Sequence, residues 1–268
     1  MSSRELDSGV RSLAELRERL ALGVAPALEG RWLRLLQRDE RAGARALAAV
    51  LERRRDERRR EARRIARLFA LRRQLFASGA RLVAGVDEVG VGPLAGPLVA
   101  AAVVLPARVQ LPGLDDSKQL SAEQREALDA AIRTQAIAVC VAELSSTEVD
   151  RLNTRGASLE AMRRAVTGLA QAPDHVLVDA FTIPAIAFPQ TPIVGGDARD
   201  GSIAAASIVA KVYRDARMRE IDGRYPGYGF ARHKGYSTRD HFAALARLGP
   251  CPEHRRSFTP VSQLPLFA

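Results

Sequence analysis

The spacing of the hydrophobic residues changes near residue 80. Before this point, apolar residues recur every three or four positions, a period that predicts helices with short breaks over residues 4–80. After it, continuous apolar runs such as 98–105 and 175–179 are typical of strands. The chain therefore divides into a predicted all-α segment, residues 1–80, and a predicted α/β domain, residues 81–268.

The predicted α/β domain alternates strands and helices. An apolar run that ends at Val86 and the run Leu98–Leu105 predict a hairpin whose connection is rich in glycine and proline. Ser121 and Gln124 have the spacing of a capping box, which predicts a helix over 122–134. The remaining predicted elements are a strand at 136–144, helices at 145–153 and 158–170, strand-type runs at 175–179 and 191–197, and helices at 202–223 and 239–248.

The net charge of +10 is unevenly distributed. Residues 1–80 hold 20 arginines and 11 acidic residues, so almost all of the excess positive charge belongs to the predicted helical segment. Its last part, Glu52–Phe76, is predicted to be one long helix with an apolar stripe, surrounded by the arginines of 53–73. These arginines are candidates for phosphate contacts and favour a nucleic-acid partner; a solvated helix in an arginine-rich protein is the alternative.

Composition argues against several protein classes. The nearest candidate for a membrane span, Leu94–Leu105, is too short to cross a bilayer. The start of the chain lacks the basic-then-apolar order of a signal peptide. The two cysteines, Cys140 and Cys251, provide neither a disulfide framework nor a metal-ligand pair at a useful spacing. We therefore expect a soluble, cytoplasmic protein without membrane contacts.

Four acidic residues follow apolar, strand-like residues, namely Asp87, Glu88, Asp179 and Asp197. A charge at the exit of a buried strand is costly unless it is neutralised. Oxygen ligands without histidine or cysteine favour Mg²⁺ or Mn²⁺ over zinc. Two such ions can hold the attacking and leaving oxygens of a displacement at phosphorus. The acids and the basic segment therefore predict the same kind of substrate, one that contains phosphate.

The glycine-rich turn after Val86 has a second interpretation. The segment Gly90–Gly96 resembles a dinucleotide-binding turn, in which glycines allow a pyrophosphate to approach the start of a helix. Such a turn must be followed by an amphipathic helix. Here Pro97 and the apolar run Leu98–Leu105 predict a strand instead, which argues against a dinucleotide site.

Seven short motifs occur in order between Arg81 and Val261. They are Gly85-Val86-Asp87-Glu88 with Gly90 and Gly92, Asp116-Ser117-Lys118, Val178-Asp179, Gly196-Asp197-Ala198 with Ile203–Ile208, Ala210-Lys211 with Arg214-Asp215, Tyr225–Tyr228 with His233–Tyr236, and His254–Phe258. Over this span the chain resembles the ribonuclease HII family, the type 2 ribonucleases H of bacteria. Some members of that family carry a similar helical extension at the N-terminus.

The resemblance implies an RNase H-like α/β fold, with a mixed five-stranded sheet flanked by helices and a helical C-terminal part. It also implies metal-dependent cleavage of the RNA strand in RNA–DNA hybrids and at ribonucleotides embedded in duplex DNA, leaving 3′-hydroxyl and 5′-phosphate ends. Ribonucleotide excision repair and RNA primer removal are the implied cellular roles. The implied cofactors are Mn²⁺ or Mg²⁺, two ions with substrate bound, and the expected state is a monomer.

The motifs also imply roles for individual residues. The implied catalytic and metal-binding residues are Asp87, Glu88, Asp179 and Asp197. The implied substrate-binding residues are Gly90, Val91, Gly92, Lys118 and Tyr236. In this assignment the glycine turn would recognise the 2′-hydroxyl, which distinguishes RNA from DNA. Tyr236 would lie against the sugar at the junction between ribonucleotide and deoxyribonucleotide, and Lys118 would contact a phosphate.

Two positions depart from the family pattern. Val91 occupies the centre of a turn that is normally Gly-Arg-Gly, and Gly195 occupies a position where lysine is common. Each change removes a positive charge near the scissile phosphate, where a charge-assisted contact contributes about 1.5–3 kcal/mol. We expect an active enzyme whose N-terminal arginines compensate for the lost charge. The alternative is a catalytically weakened protein that binds RNA–DNA hybrids.

The extreme C-terminus carries one further motif, formed by Gln263, Leu264, Leu266 and Phe267. It resembles the short peptide with which bacterial replication and repair proteins bind the sliding clamp. A free tail with apolar anchors suits docking into a groove. The alternative is a tail that folds onto its own protein.

Overall fold

A computed structural model of the chain describes residues 12–21, 23 and 25–263. The chain forms two compact units, Met1–Arg64 and Ile65–Ala268. No helix in the described part of the chain is long and apolar enough to cross a membrane.

The described elements of the first unit are all helices. It contains α1 (Leu13–Ala21), α2 (Pro26–Gln37) and most of α3 (Ala42–Leu68). Its small core consists of Leu16, Leu20, Trp32, Leu36, Ala44, Ala48 and Leu51. The long helix predicted to begin at Glu52 begins ten residues earlier, because the alanine-rich stretch before it also has high helix propensity.

The predicted long helix also ends earlier than expected. Phe69 has non-helical backbone angles, φ −96° and ψ 17°, and a separate helix α4 (Ala70–Ala77) follows it. The Phe69 ring packs into the core of the second unit, over Gly201. The Arg72 guanidinium is buried there as well and donates to the Pro106 carbonyl at 3.0 Å. Arg72, one of the arginines predicted to contact phosphate, is therefore part of the packed structure.

The second unit contains the expected mixed five-stranded sheet. Its strands are β1 (Val83–Val89), β2 (Leu98–Val104), β3 (Ala138–Leu144), β4 (His175–Asp179) and β5 (Gln190–Ile193). They lie in the order β3-β2-β1-β4-β5. The pairs β1–β2 and β2–β3 are antiparallel, while β1–β4 and β4–β5 are parallel. The predicted hairpin is confirmed as β1 and β2.

Five α-helices follow β2 in the described chain, and three of them cover the faces of the sheet. They are α5 (Ala122–Gln135), α6 (Ser146–Thr167), α7 (Gly201–Arg224), α8 (Phe230–His233) and α9 (Arg239–Leu248). Helix α6 packs on one face, and α5 and α7 pack on the other. The capping box of Ser121 and Gln124 is confirmed. The two helices predicted at 145–170 form one kinked helix, with Asn153 in a non-helical conformation between them.

The sheet and α7 approach each other unusually closely at Gly85. A Cβ at this position of β1 would overlap the backbone of Ser202 and Ile203. Helix α7 begins there, capped by Asp200, whose Oδ1 accepts from the Ser202 N–H at 2.7 Å. Small residues at the start of α7 allow this contact. The start of α7 is therefore fixed against the centre of the sheet.

This contact predicts a clear effect of one methyl group. We expect Gly85→Ala to lower the free energy of unfolding by about 1–3 kcal/mol or more, because overpacking displaces α7. Gly223→Ala, in α7 itself, is the control, since the added Cβ would meet no atom within 4 Å. The control should gain up to about 1 kcal/mol from helix propensity. Equal stabilities of the two variants in urea denaturation would contradict the close contact.

Candidate active site

Two parallel strands bring three acidic residues together at their carboxyl ends. Val86 of β1 pairs with Val178 of β4, so the residues that follow, Asp87 and Asp179, lie side by side. Glu88 comes next in β1. One carboxylate oxygen from each of the three acids lies within 4.8 Å of the others. The sheet thus assembles three of the four predicted metal ligands from two distant parts of the sequence.

The acidic pair of β1 lies inside the strand and not beyond its end. Antiparallel pairing of β1 with β2 continues to Val89 and Val99, whereas the sequence pattern predicts the acids at the strand exit. Successive side chains of a strand point to opposite faces. Asp87 therefore faces α7 and Glu88 faces α6, in line with the contacts of the neighbouring residues of β1. Although the two side chains leave opposite faces of the strand, one oxygen of each carboxylate lies within 4.8 Å of the other.

Asp197 lies on a short 3₁₀ helix, Gly196–Ala198, that follows β5. The Gly196 N–H donates to Asp179 Oδ1 at 2.6 Å, which holds this turn against the end of β4. Within the described residues, Asp197 is not one of the mutually close acids. Its Oδ2 accepts a hydrogen bond from Lys118 Nζ at 2.7 Å. The fourth predicted ligand is thus paired with a lysine beside the other three.

Burial is the main reason why the three clustered acids have raised pKa values. The pKa of Asp87 lies well above its ordinary value, first through burial and then through the charges of Glu88 and Asp179. Burial also raises the pKa of Glu88, against the opposing effect of the nearby Ser158 hydroxyl. It raises the pKa of Asp179, against the hydrogen bond from the Gly196 N–H. Burial and mutual repulsion therefore oppose ionisation of the three carboxyls when no cation is present.

These residues fit a divalent cation. Glu88 Oε2 is buried and accepts no hydrogen bond from the part of the chain that the structure describes. A cation would give this oxygen a partner and remove the repulsion among the carboxylates. Because every candidate ligand atom is a carboxylate oxygen, the site suits a hard ion such as Mg²⁺ or Mn²⁺.

Lys118 occupies the edge of the acidic cluster. Its side chain is 75% exposed, although its Nζ is bonded to Asp197 and lies 3.8 Å from Asp116. The loop that carries it is fixed on one side by the Ser117 hydroxyl, 3.0 Å from the hydroxyl of Ser207 in α7. An ammonium group is therefore held at the surface of the site, within reach of solvent.

The loop between β1 and β2, Gly90–Pro97, is called the glycine loop below. The guanidinium of Arg255 is fully buried and donates to the carbonyl oxygens of Gly90 at 2.6 Å, Val91 at 2.7 Å and Gly96 at 3.0 Å. Burial is the first cause that lowers the pKa of Arg255, to about 9. A single side chain thus fixes three peptide groups of the glycine loop.

A second buried arginine, Arg214 of α7, supports the other end of the glycine loop. It donates to the carbonyl oxygens of Pro97 at 2.8 Å and Ala95 at 3.3 Å. Gly90 has φ +85°, and a Cβ there would overlap the Arg214 side chain. Neither Arg214 nor Arg255 forms an ion pair with a described residue, so their partners are backbone carbonyls.

These two arginines are functional residues that the sequence analysis missed. Both lie in motifs that carry the family resemblance, yet no role follows from the motifs themselves. Their hydrogen-bond partners are backbone groups 117 to 165 residues away. Main-chain partners leave no pattern of residue types in a sequence, so only the fold reveals them.

Val91, at the centre of the glycine loop, turns its side chain inward. It is partly buried and packs against the apolar core on the α6 face of the sheet. The N–H groups of Val91 and Gly92 donate to no other group among the described residues. A Cβ added to Gly92 would meet no atom within 4 Å. The loop therefore presents backbone donors, and no side chain, to its open side.

Tyr236 lies next to the glycine loop. The preceding Gly235 has φ +81° and approaches Ala95 so closely that a Cβ would overlap its carbonyl. The Leu94 N–H donates to the Gly235 carbonyl at 2.9 Å. The Tyr236 ring is 39% exposed and lies 5.7 Å from the guanidinium carbon of Arg214. The structure thus brings the predicted sugar contact and the predicted hydroxyl-reading turn together.

Two other sequence features have plain structural outcomes. Gly195 has φ +64°, a left-handed conformation that favours glycine, so a lysine at this position would strain the turn before Asp197. Gln263 ends the short 3₁₀ helix Val261–Gln263. The other residues of the tail motif, Leu264, Leu266 and Phe267, lie outside the described residues.

A family model described as Ribonuclease HII matches residues 84–261 of this chain. The chain belongs to the ribonuclease HII family. It is 50% identical to ribonuclease HII of Geobacillus kaustophilus over 234 residues, which cover 87% of this chain and 89% of the relative. It is 49% identical to ribonuclease HII of Myxococcus xanthus over 253 residues, which cover 94% of this chain and 86% of the relative.

The fold is likewise shared with a solved structure. The crystal structure of ribonuclease H2 from Pyrococcus horikoshii superposes with a TM-score of 0.58 at 26% identity, over 68% of this chain and 96% of that one. As a member of the ribonuclease HII family, the chain is a ribonuclease H that acts on RNA–DNA hybrids. The family is metal-dependent, in agreement with the acidic cluster.

The raised pKa values predict that the metal-free protein is destabilised by ionisation of its own site. A carboxyl whose pKa is higher in the folded state than in the unfolded state makes the fold less stable as pH rises above about 4. Asp87→Asn should therefore raise the Tm in EDTA by roughly 2–8 °C at pH 8, with a smaller gain near pH 5. Added Mn²⁺ should stabilise the wild type more than the variant.

Asp174 provides a control of opposite sign. Its pKa is lowered, chiefly by hydrogen bonds from the N–H groups of Arg81 and Leu82, so its ionised form stabilises the fold. Asp174→Asn should lower the Tm at pH 8 and leave the response to Mn²⁺ unchanged. A Tm for Asp87→Asn at or below that of the wild type in EDTA would refute the charge-crowding account.

Proposed function

We propose that the chain cuts the RNA strand of hybrids and also single ribonucleotides embedded in duplex DNA, by a mechanism that uses two Mn²⁺ or Mg²⁺ ions. The observation that carries this proposal is the cluster of three carboxylates, one buried and two partly buried, at the strand that leads into the glycine loop, against which the residue before Tyr236 packs. Cleavage at one ribonucleotide requires that a phosphate and an adjacent 2′-hydroxyl be recognised together. This arrangement offers one site for each.

The proposed metal ligands are Asp87, Glu88, Asp179 and Asp197. The chemistry supplied by bound metal would be activation of water and stabilisation of charge on the leaving oxygen. Lys118 would contribute its exposed ammonium group to the phosphate, in exchange for its hydrogen bond to Asp197. The four carboxylates would attract the metal ions, and the ions would in turn bind the substrate phosphate.

Recognition of the 2′-hydroxyl would use the backbone of the glycine loop. A hydroxyl both donates and accepts hydrogen bonds, and the N–H groups of Val91 and Gly92 have no partner among the described residues. The inward side chain of Val91 leaves these groups accessible. The loss of the usual arginine would then weaken phosphate affinity, while discrimination of RNA from DNA is retained. Tyr236 would pack against the neighbouring sugar.

The alternative, a catalytically weakened protein that only binds hybrids, is not favoured. It was motivated by Val91 and Gly195, which lack the positive charges of the family pattern. Both positions are accounted for by local structure, and the acidic cluster is assembled without them. A clamp-binding role for the tail stays a prediction from its sequence.

The arginines of α3 would supply affinity that is independent of sequence. Arg53, Arg60 and Arg63 are exposed and form no ion pair or hydrogen bond within the described chain. Arg58, by contrast, pairs with Glu29. Free guanidinium groups on an exposed helix suit the phosphates of a nucleic-acid duplex.

A cleavage assay tests the proposed activity. With Mn²⁺ or Mg²⁺, we expect the wild type to cut a duplex at its one ribonucleotide and to leave a 5′-phosphate. Asp87→Asn should reduce the rate on the order of 100-fold or more, since a metal ligand is lost. Asp174→Asn should cleave like the wild type. If a long hybrid is cut while the duplex with one ribonucleotide stays intact, the proposed recognition by the glycine loop is wrong.

Salt dependence tests the arginines of α3. Combined replacement of Arg53, Arg60 and Arg63 by alanine should weaken hybrid binding. It should also make the slope of log K against log salt shallower by about 2–3, because each phosphate contact contributes roughly 0.9. Replacement of the same three residues by lysine keeps the charge and is the control. An unchanged slope in the alanine variant would show that these arginines do not contact the substrate.

A further inference from the structure

Three of the four histidines of the chain lie together in the C-terminal part of the second unit. His241 and His254 are almost fully buried, at 0% and 1% exposure, and the His233 ring stacks on that of His241 at 4.5 Å. None of the three is among the acidic ligands or the substrate-binding residues proposed above. Buried histidines need defined hydrogen bonds, and those bonds fix their tautomers.

The hydrogen bonds of His254 and His241 run in one direction. The Cys251 N–H donates to His254 Nδ1 at 3.0 Å, so Nδ1 is an acceptor and carries no proton. The proton of a neutral His254 must then be on Nε2, which lies 3.1 Å from His241 Nε2. His241 Nε2 is therefore the acceptor, and His241 Nδ1 carries the proton that is donated to the Tyr236 carbonyl at 2.9 Å. We call Cys251, His254 and His241 the histidine relay.

The surroundings keep the histidine relay neutral. Burial, together with the charges of His241, Arg256 and His233, lowers the pKa of His254 to about 4. Burial is also the main cause that lowers the pKa of His241. A second proton on either ring would place a donor opposite another donor. The single direction of the hydrogen bonds is therefore retained at neutral pH.

Both ends of the relay adjoin the substrate-facing part of the site. One end holds the backbone carbonyl of Tyr236, whose ring is the proposed sugar contact. Toward the other end, the backbone of His254 pairs with that of Ala95 in the glycine loop, as an isolated antiparallel β-bridge. The next residue is Arg255, which holds the carbonyls of Gly90 and Val91. The relay thus connects the two parts of the site that would recognise a ribonucleotide.

We propose that His241 and His254, in these tautomers, are positioning residues that set the place of Tyr236 relative to the glycine loop. This inference rests on the proposed contact of Tyr236 with substrate. It assigns the histidines to substrate affinity and not to the chemical step, since neither ring reaches the acidic cluster through the contacts described here.

Two amide variants of His241 separate the two hydrogen bonds of its ring. Asparagine places an amide nitrogen near the position of Nδ1 and can still donate to the Tyr236 carbonyl. Glutamine places an amide oxygen near the position of Nε2 and can still accept from His254. Both variants lose one bond of the relay, but only the glutamine variant releases Tyr236.

We expect His241→Gln to raise KM for the duplex with one ribonucleotide by about 3- to 10-fold, the effect of one lost hydrogen bond, with little change in kcat. His241→Asn should recover most of this loss, while the Tm falls in both variants. Equal KM values for the two variants would overturn the positioning role. A large fall in kcat at unchanged KM would overturn it too.

Nuclear magnetic resonance tests the tautomers of the histidine relay independently of catalysis. With only four histidines, long-range ¹H–¹⁵N correlation can resolve every ring. We expect a proton on His241 Nδ1, a proton on His254 Nε2, and a coupling across the hydrogen bond between the two Nε2 atoms. Opposite tautomers or a doubly protonated ring at pH 7 would refute the relay.

Tyr236→Ala separates failure of the relay from failure of the proposed function. A raised KM in this variant supports the substrate contact. An unchanged KM refutes that contact, and with it the positioning role, even where the spectra show the expected tautomers.

Discussion

The close contact between α7 and the centre of the sheet is the constraint on which the site depends. Gly85 allows the backbone of α7 to approach β1, and the helix then extends along the site. From it, Ser207 fixes the loop of Lys118, and Arg214 supports the glycine loop. Farther along, Met218 packs against Gly96 and Gly235. One helix therefore sets the relative positions of the acids, the loop and Tyr236.

The site contains buried charges of both signs that do not neutralise each other. The carboxylates cluster at the ends of β1 and β4, where burial and mutual repulsion raise their pKa values. The guanidiniums of Arg214 and Arg255 are buried behind the glycine loop, where burial lowers theirs. Backbone carbonyls accept hydrogen bonds from both arginines, while Arg214 Nη1 has no partner in the described chain. The carboxylates accept few hydrogen bonds, and the buried Glu88 Oε2 accepts none from the described chain, so these are the groups that an external cation would neutralise.

The two departures from the family pattern have different physical meanings. Val91 packs a partly buried side chain against the core, and its carbonyl accepts a hydrogen bond from Arg255, so its side chain supports the glycine loop from within. Gly195 occupies a left-handed conformation that a lysine would adopt only with strain. Neither change disturbs the acids, because these are positioned by the sheet and by the 3₁₀ helix after β5. The loss of charge at these two places therefore leaves the arrangement of the acidic cluster intact.

The sequence alone determined most of the elements and singled out the acidic residues that the structure brings together. Local patterns are sufficient for this, since apolar runs define β1, β2 and β4, and Ser121 with Gln124 defines the start of α5. The break at Phe69 was not predictable, because it results from packing against Gly201, distant in the chain.

Tertiary structure alone decided how the site is held together. It brought Asp87 beside Asp179 through parallel strand pairing, and it left Asp197 bonded to Lys118. It also gave Arg255 and His241 their hydrogen-bond partners, which are backbone carbonyls. Every residue has a carbonyl, so a sequence can show that a histidine or arginine is present but not which peptide group it holds.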